Sequence, residues 1–183
     1  TISISFHMSG YRNFKTYYFE YLKVHCLDHF PKLLSYNRIV ELTPRLILPL
    51  TSYLISKCQF KCTGINFVDS TTIVVCRNQR IHNHKTFKCS AQRGKSSMGW
   101  FYGFKLHLII NEIGEIISFN LTPGNVDDRN QSVMKKMTKN VFGKLFGDKG
   151  YLSKALSELL FQDGIQIITK VKKNMKNSLM PLR

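Results

Sequence analysis

From Gly64 onward the chain changes texture, and that change most narrows what it can fold into. Ile65-Asn66-Phe67-Val68-Asp69-Ser70-Thr71-Thr72-Ile73-Val74-Val75 is dense in β-branched residues and reads as a strand. A basic loop from Arg77 to Lys95 follows. Tyr102 to Ile110 reads as a second strand, Asn111-Glu112-Ile113-Gly114 as a hairpin turn, and Glu115 to Leu121 as a third strand. Asp127 or Asp128 is placed to cap a helix through Val133 and Met137. Lys144 to Asp148 is a short strand, Ser153 to Gln162 a helix with Gly164 just beyond it, and Ile165 to Val171 a last strand. Three strands in succession, then strands alternating with helices, call for a mixed α/β sheet.

The first sixty residues read differently. Tyr11 to Leu27 carries Phe14, Tyr17, Tyr18, Tyr21, Leu22 and Val24 near helical spacing. Pro31 is placed to open a further helix, and Ser35 or Asn37 to cap one through Ile39, Val40 and Leu42. Pro44 should end that helix, and another should run through Ile47, Leu50, Leu54 and Ile55. The expected organisation is a helical region at 1–62, a candidate DNA-binding part, and an α/β core at 63–183.

Charge narrows the partner. Lysine and arginine number 27 against 11 acids, a net charge of +16. A chain this basic repels itself unless a polyanion is near, and nucleic acid is the first candidate. The five cysteines are an odd number with no secretory signal before them, which favours a reducing compartment. No apolar run reaches the roughly 18 residues of a membrane span. The expected location is therefore the cytoplasm, at the nucleoid, with no membrane partner.

Two acids stand out by position. Asp69 lies within the first strand among Phe67, Val68, Ile73 and Val74, and Asp148 ends the fourth between Gly147 and Lys149. A strand carboxylate is costly unless paired, hydrogen-bonded or metal-bound. If the first and fourth strands are neighbours the two acids meet, and a divalent cation such as Mg2+ relieves their repulsion. The plainer alternative is that Asp69 bonds Ser70, Thr71 or a nearby amide and that Asp148 caps a turn. Spacing leaves both open.

Other residues carry paired readings too. Lys105 and His107 alternate along a strand and can face DNA phosphate together, or belong to ordinary sheet packing. Lys149 can meet phosphate or balance the carboxylates. Trp100, Phe101, Tyr102 and Phe104 can stack on unpaired bases or form core. Cys76, His82, His84 and Cys89 match no standard zinc spacing.

An ordered set of motifs goes further. Asp69-Ser70-Thr71, Arg93-Gly94-Lys95-Ser96-Ser97-Met98-Gly99-Trp100-Phe101-Tyr102-Gly103-Phe104-Lys105-Leu106-His107, Thr122-Pro123-Gly124-Asn125-Val126-Asp127-Asp128-Arg129 and Gly147-Asp148-Lys149-Gly150-Tyr151 occur in that order. Phe6-His7-Met8-Ser9-Gly10-Tyr11-Arg12-Asn13-Phe14-Lys15, Phe30-Pro31 and Ser35-Tyr36-Asn37-Arg38 precede them. Together they resemble insertion-sequence transposases of the DDE superfamily, most of all the nine-eight-two family of insertion sequences. The order of strands and helices likewise resembles the ribonuclease H fold.

The resemblance implies Asp69 and Asp148 as the first and second metal-binding catalytic carboxylates, with Mg2+ or Mn2+ as cofactor. It implies metal-dependent cleavage at the terminal inverted repeats of a mobile element, strand transfer to target DNA, and a homodimer. It also implies a third acid, a glutamate downstream of Asn174-Met175-Lys176, whereas the sequence ends at Arg183 and carries only Glu158, which comes too early, and Asp163 after Asp148, neither of which is assigned that role. The expectation is thus an inactive transposase fragment that binds DNA. The alternatives are a non-catalytic DNA-binding remnant and a structure-specific nuclease on the same fold.

Overall fold

The computed structural model describes residues 1–57 and 60–170. The chain divides into two compact units, Thr1–Ser56 and Lys57–Arg183. In the first, α1 spans Ile2–Met8. Helix α2 starts at Phe14–Thr16, widens into a π-helical stretch at Tyr17–Leu22 and closes at Lys23–His25. A π turn brings residues five apart together, and here Tyr17, Tyr18 and Leu22 are the buried ones. They pack with Phe6, Phe14, Phe30, Tyr36 and Ile39. The Tyr17 hydroxyl meets Ser5 Oγ at 2.9 Å, and that of Tyr18 donates to the Leu34 carbonyl at 2.8 Å. Ser35 caps α3, Tyr36–Leu42, as one of the two expected residues. Pro44 starts a 3-10 turn at Thr43–Leu46, and α4 runs from Ile47 to Lys57. Pro31 does not open a helix; residues 31–35 stay irregular up to that cap.

The second unit is a six-stranded mixed sheet. Its strands are β1 (Ile65–Cys76), β2 (Gln92–Ser96), β3 (Gly99–Asn111), β4 (Ile116–Pro123), β5 (Gly143–Gly147) and β6 (Ile165–Thr169). Helix α5, Gln131–Met137, follows β4, and α6, Lys154–Gln162, follows β5. The strand β2 is an addition: the stretch read as one basic loop folds its last residues against the start of β3.

β1 pairs antiparallel with β3 and parallel with β5, which pairs parallel with β6. The other edge of β3 is shared end to end: β2 takes Gly99 to Gly103, and β4 takes Phe104 to Ile110. An antiparallel meander with two parallel strands added beside its first strand is the ribonuclease H topology, so the fold is a mixed α/β core of that type. Among the described residues, no helix is long and apolar enough to cross a membrane.

Among the described residues, the core of this unit gathers on one sheet face. Val68, Ile109, Leu145 and Ile165 pack there against Met134 and Met137 of α5, Leu156 and Leu160 of α6, and Tyr151. Full burial of each such side chain contributes roughly 1.5–3 kcal/mol. The register of β1 against β5 is fixed from within. Buried Asn66 donates its amide to the carbonyls of Phe142 (3.1 Å) and Lys144 (3.3 Å), at the entrance to β5. Gly143, at φ +80°, lies against the Gly64 backbone where a Cβ would collide.

Candidate active site

The register set by Asn66 places Val68 opposite Gly147. Asp69 and Asp148 follow these residues, so the two acids emerge side by side at the same end of neighbouring parallel strands. Strand alternation turns Val68 into the core and Asp69 out of it. Both carboxylates are exposed. The local interactions expected of a plain strand acid and turn cap are present as well. Asp69 Oδ1 accepts the Ser70 amide at 2.8 Å, and Asp148 Oδ1 accepts the Gly150 amide at 2.6 Å. Each bond fixes one oxygen, and among the described residues the other has no hydrogen-bond partner. Among the described residues, neither acid forms an ion pair.

A third acid lies nearby on the core side of β1. Asp128 Oδ1 accepts Ser70 Oγ at 2.9 Å and Lys105 Nζ at 3.2 Å, and lies 3.9 Å from His107 Nδ1. Lys105 also donates to the Val126 carbonyl at 2.9 Å, and His107 Nε2 meets Thr122 Oγ1 at 2.8 Å. Sheet pairing builds this group: Ser70 lies opposite His107, Thr72 opposite Lys105, and Lys105 opposite Thr122.

The expected roles of Lys105 and His107 change accordingly. Neither is set out toward phosphate. His107 is wholly buried, and Lys105 is 9% exposed with its ammonium held by Asp128. Burial depresses the His107 pKa; Asp128 opposes that shift and Lys105 adds to it. Lys149, by contrast, is exposed beside Asp148. Helix α5 is capped by Asn130, whose Oδ1 accepts the Val133 amide, rather than by Asp127 or Asp128. Asp127 instead binds Arg129, through side chain and amide, and its pKa falls to about 2.

Tyr151 ties the two faces together. Its hydroxyl is buried and, among the described residues, has no hydrogen-bond partner. Burial raises its pKa strongly, the negative charges of Asp128, Asp69 and Asp148 raise it further, and the nearby Ser70 hydroxyl pulls the other way. One buried phenol therefore feels all three carboxylates. The Ser70–Asp128–Lys105–His107 group was missed at the level of sequence, yet a signal existed: Lys105 and His107 share parity with Ile109, a core position.

The donor set fits a hard divalent cation, with exposed carboxylate oxygens side by side and, among the described residues, no cation paired to them. Among the described residues, no cluster of three His, Cys, Asp or Glu forms a complete metal cage.

A family model described as a transposase DDE domain matches residues 59–183. No curated protein matches. Among solved structures, the piggyBac transposase in its synaptic complex with hairpin DNA, determined by cryo-EM, is similar at 15% identity and a TM-score of 0.49. That similarity covers 71% of this chain and 28% of the piggyBac chain, so this chain spans well under a third of it. By the family match over its α/β unit, the chain belongs to the transposase DDE domain family.

Proposed function

We propose that this chain is the catalytic-core portion of an insertion-sequence DNA transposase of the nine-eight-two type, with Asp69 and Asp148 as its metal-binding catalytic carboxylates. The observation that carries the reading is their emergence side by side, each with an oxygen unpartnered among the described residues, in a chain of net charge +16. Mg2+ or Mn2+ bound there would supply charge stabilisation at a phosphodiester. Asp69 and Asp148 hold that ion, and their backbone bonds preset one oxygen of each. Lys149 is the phosphate contact next to them. Lys105 and His107 position Asp128, which holds Ser70 and with it the end of β1 carrying Asp69.

The partners in this reading are the terminal inverted repeats of a mobile element and target DNA, held by a homodimer in the cytoplasm at the nucleoid. In this reading Asp69 and Asp148 are two of the three carboxylates that the resemblance implies, and the chain by itself is expected to bind DNA and cut it feebly at most. The test uses labelled element-end DNA at low salt, in EDTA, Mg2+ and Mn2+. Salt-sensitive binding with metal-dependent nicking, lost in Asp69→Asn and Asp148→Asn, supports the catalytic reading. Binding with no nicking in either metal leaves the non-catalytic remnant, the second reading, which the net charge alone favours. Nicking without any joined product points to a nuclease, and a covalent protein–DNA adduct would defeat all of these.

A further inference from the structure

The aromatic run at the start of β3 is divided by the fold. Phe101 and Tyr102 are buried, whereas Trp100 is 60% exposed. Met98, in the turn joining β2 to β3, is 98% exposed. Lys95 pairs with Trp100 across the hairpin, its ammonium 5.8 Å from the indole centroid. Between Arg77 and Trp100 there are six basic residues and no acid, and all six cations are exposed.

The hairpin is also firmly rooted. Asn78 donates to the Trp100 carbonyl at 2.8 Å, Phe87 packs edge-on against Phe104, and Gly94 presses on the Gly124 backbone where any Cβ would collide. The loop that buries Tyr102 thus leaves its neighbour uncovered on a fixed support.

We infer that the β2–β3 hairpin is a DNA-engaging prong on which Trp100, flanked by Met98 and Lys95, stacks against an unpaired base. This rests on the DNA transposase reading but concerns a different part of the fold. Two exposed apolar side chains amid unopposed cations fit a ligand that offers both phosphate charge and aromatic faces. A base freed from its stack offers both; an intact duplex keeps its faces hidden.

The prong lies apart from the carboxylates. Trp100 shares strand parity with Leu108, the residue opposite Asp69, and stands eight residues from it along β3. At ~3.4 Å per strand residue that is up to about 27 Å. Duplex DNA rises about 3.4 Å per base pair, so the unpaired base lies up to about eight base steps from the bond at Asp69 and Asp148.

Trp100 is the only tryptophan, so its emission reports on this position alone. The whole chain is titrated at low salt with a duplex and with the same duplex carrying a three-base bubble. Binding is followed by anisotropy of labelled copies, and emission with unlabelled ones. The expected result is binding of both, quenching of Trp100 by the bubble far beyond that by the duplex, and about tenfold tighter binding of the bubble. Trp100→Leu should erase most of that preference while leaving duplex affinity unchanged, and Met98→Ser should reduce it less. Equal binding of the two DNAs with unchanged emission overturns the prong and leaves the transposase reading standing. Failure to bind either DNA overturns both.

Discussion

Asp69 and Ser70 are neighbours on β1 and therefore face opposite ways, and the carboxylates on the two sides have different fates. On the core side, Asp128 is committed: Ser70, Lys105 and His107 surround one of its oxygens. On the open side, among the described residues, Asp69 meets only the amide of Ser70, and Asp148 beside it only that of Gly150. A committed carboxylate holds structure, and an uncommitted one is available to a cation. The fold thus separates support from ligation across the thickness of one strand.

The sharpest way to break this contrast is to neutralise each acid and read metal binding apart from stability. Asp69→Asn or Asp148→Asn should weaken Mn2+ binding, followed by its electron paramagnetic resonance, by about a hundredfold, at the upper end of what loss of even an outer-shell partner costs. Thermal stability should move by less than ~1 kcal/mol, because both side chains are exposed. Unchanged Mn2+ affinity in either variant would remove that residue from the site.

Asp128→Ala should do the reverse. It leaves the Lys105 ammonium nearly buried with, among the described residues, only the Val126 carbonyl as a hydrogen-bond partner. Breaking one side of a buried pair costs ~3–5 kcal/mol, and partial exposure of Asp128 brings the expectation to the lower end. Urea unfolding of Asp128→Ala, Lys105→Met and the double variant checks it: the double should be more stable than Asp128→Ala. A double variant as unstable as the two single losses combined would mean that the pair is not coupled.

The elements themselves were largely legible in the sequence, because β-branched runs and glycine-bounded turns are local signals. Asp69 and Asp148 could be singled out because one acid interrupts an apolar strand and the other closes a strand expected beside it. The committed group was not legible in the same way. Lys105 and His107 look like surface residues until pairing with β1 puts them opposite Thr72 and Ser70, and pairing is a long-range property. Strand β2 was hidden for a related reason: its Gln92-Arg93-Gly94-Lys95-Ser96 has no apolar residue and is a strand only because β3 offers it an edge. In the first unit, Pro31 satisfied the local rule for a helix start, but the next turn formed only at the Ser35 cap.

A smaller effect tests the register beneath the site. Asn66→Ala removes the amide that holds the Phe142 and Lys144 carbonyls. The expected loss is about 1–3 kcal/mol in urea unfolding, with weaker Mn2+ binding although Asn66 is buried and touches no metal. Lost stability with unchanged Mn2+ affinity would show that the neighbouring backbone bonds suffice to align the two acids.

The smallest expected effect is a pH dependence on the committed side. Burial lowers the His107 pKa below its ordinary value of about 6.5. The unfolded chain therefore takes up a proton at a higher pH than the folded one. Stability from this residue is complete above about pH 6.5 and is lost as pH falls from there toward the depressed folded value. Asp128 limits the loss by favouring the charged ring, so the change should stay near 1 kcal/mol or less per unit of pH. His107→Gln keeps a polar group for Thr122 but cannot titrate, and its stability between pH 7.5 and 5.5 should fall less steeply than that of the parent. Equal slopes would mean that His107 is protonated as readily in the folded chain as in the unfolded one, and the core side of β1 would then carry two cations against Asp128 rather than one.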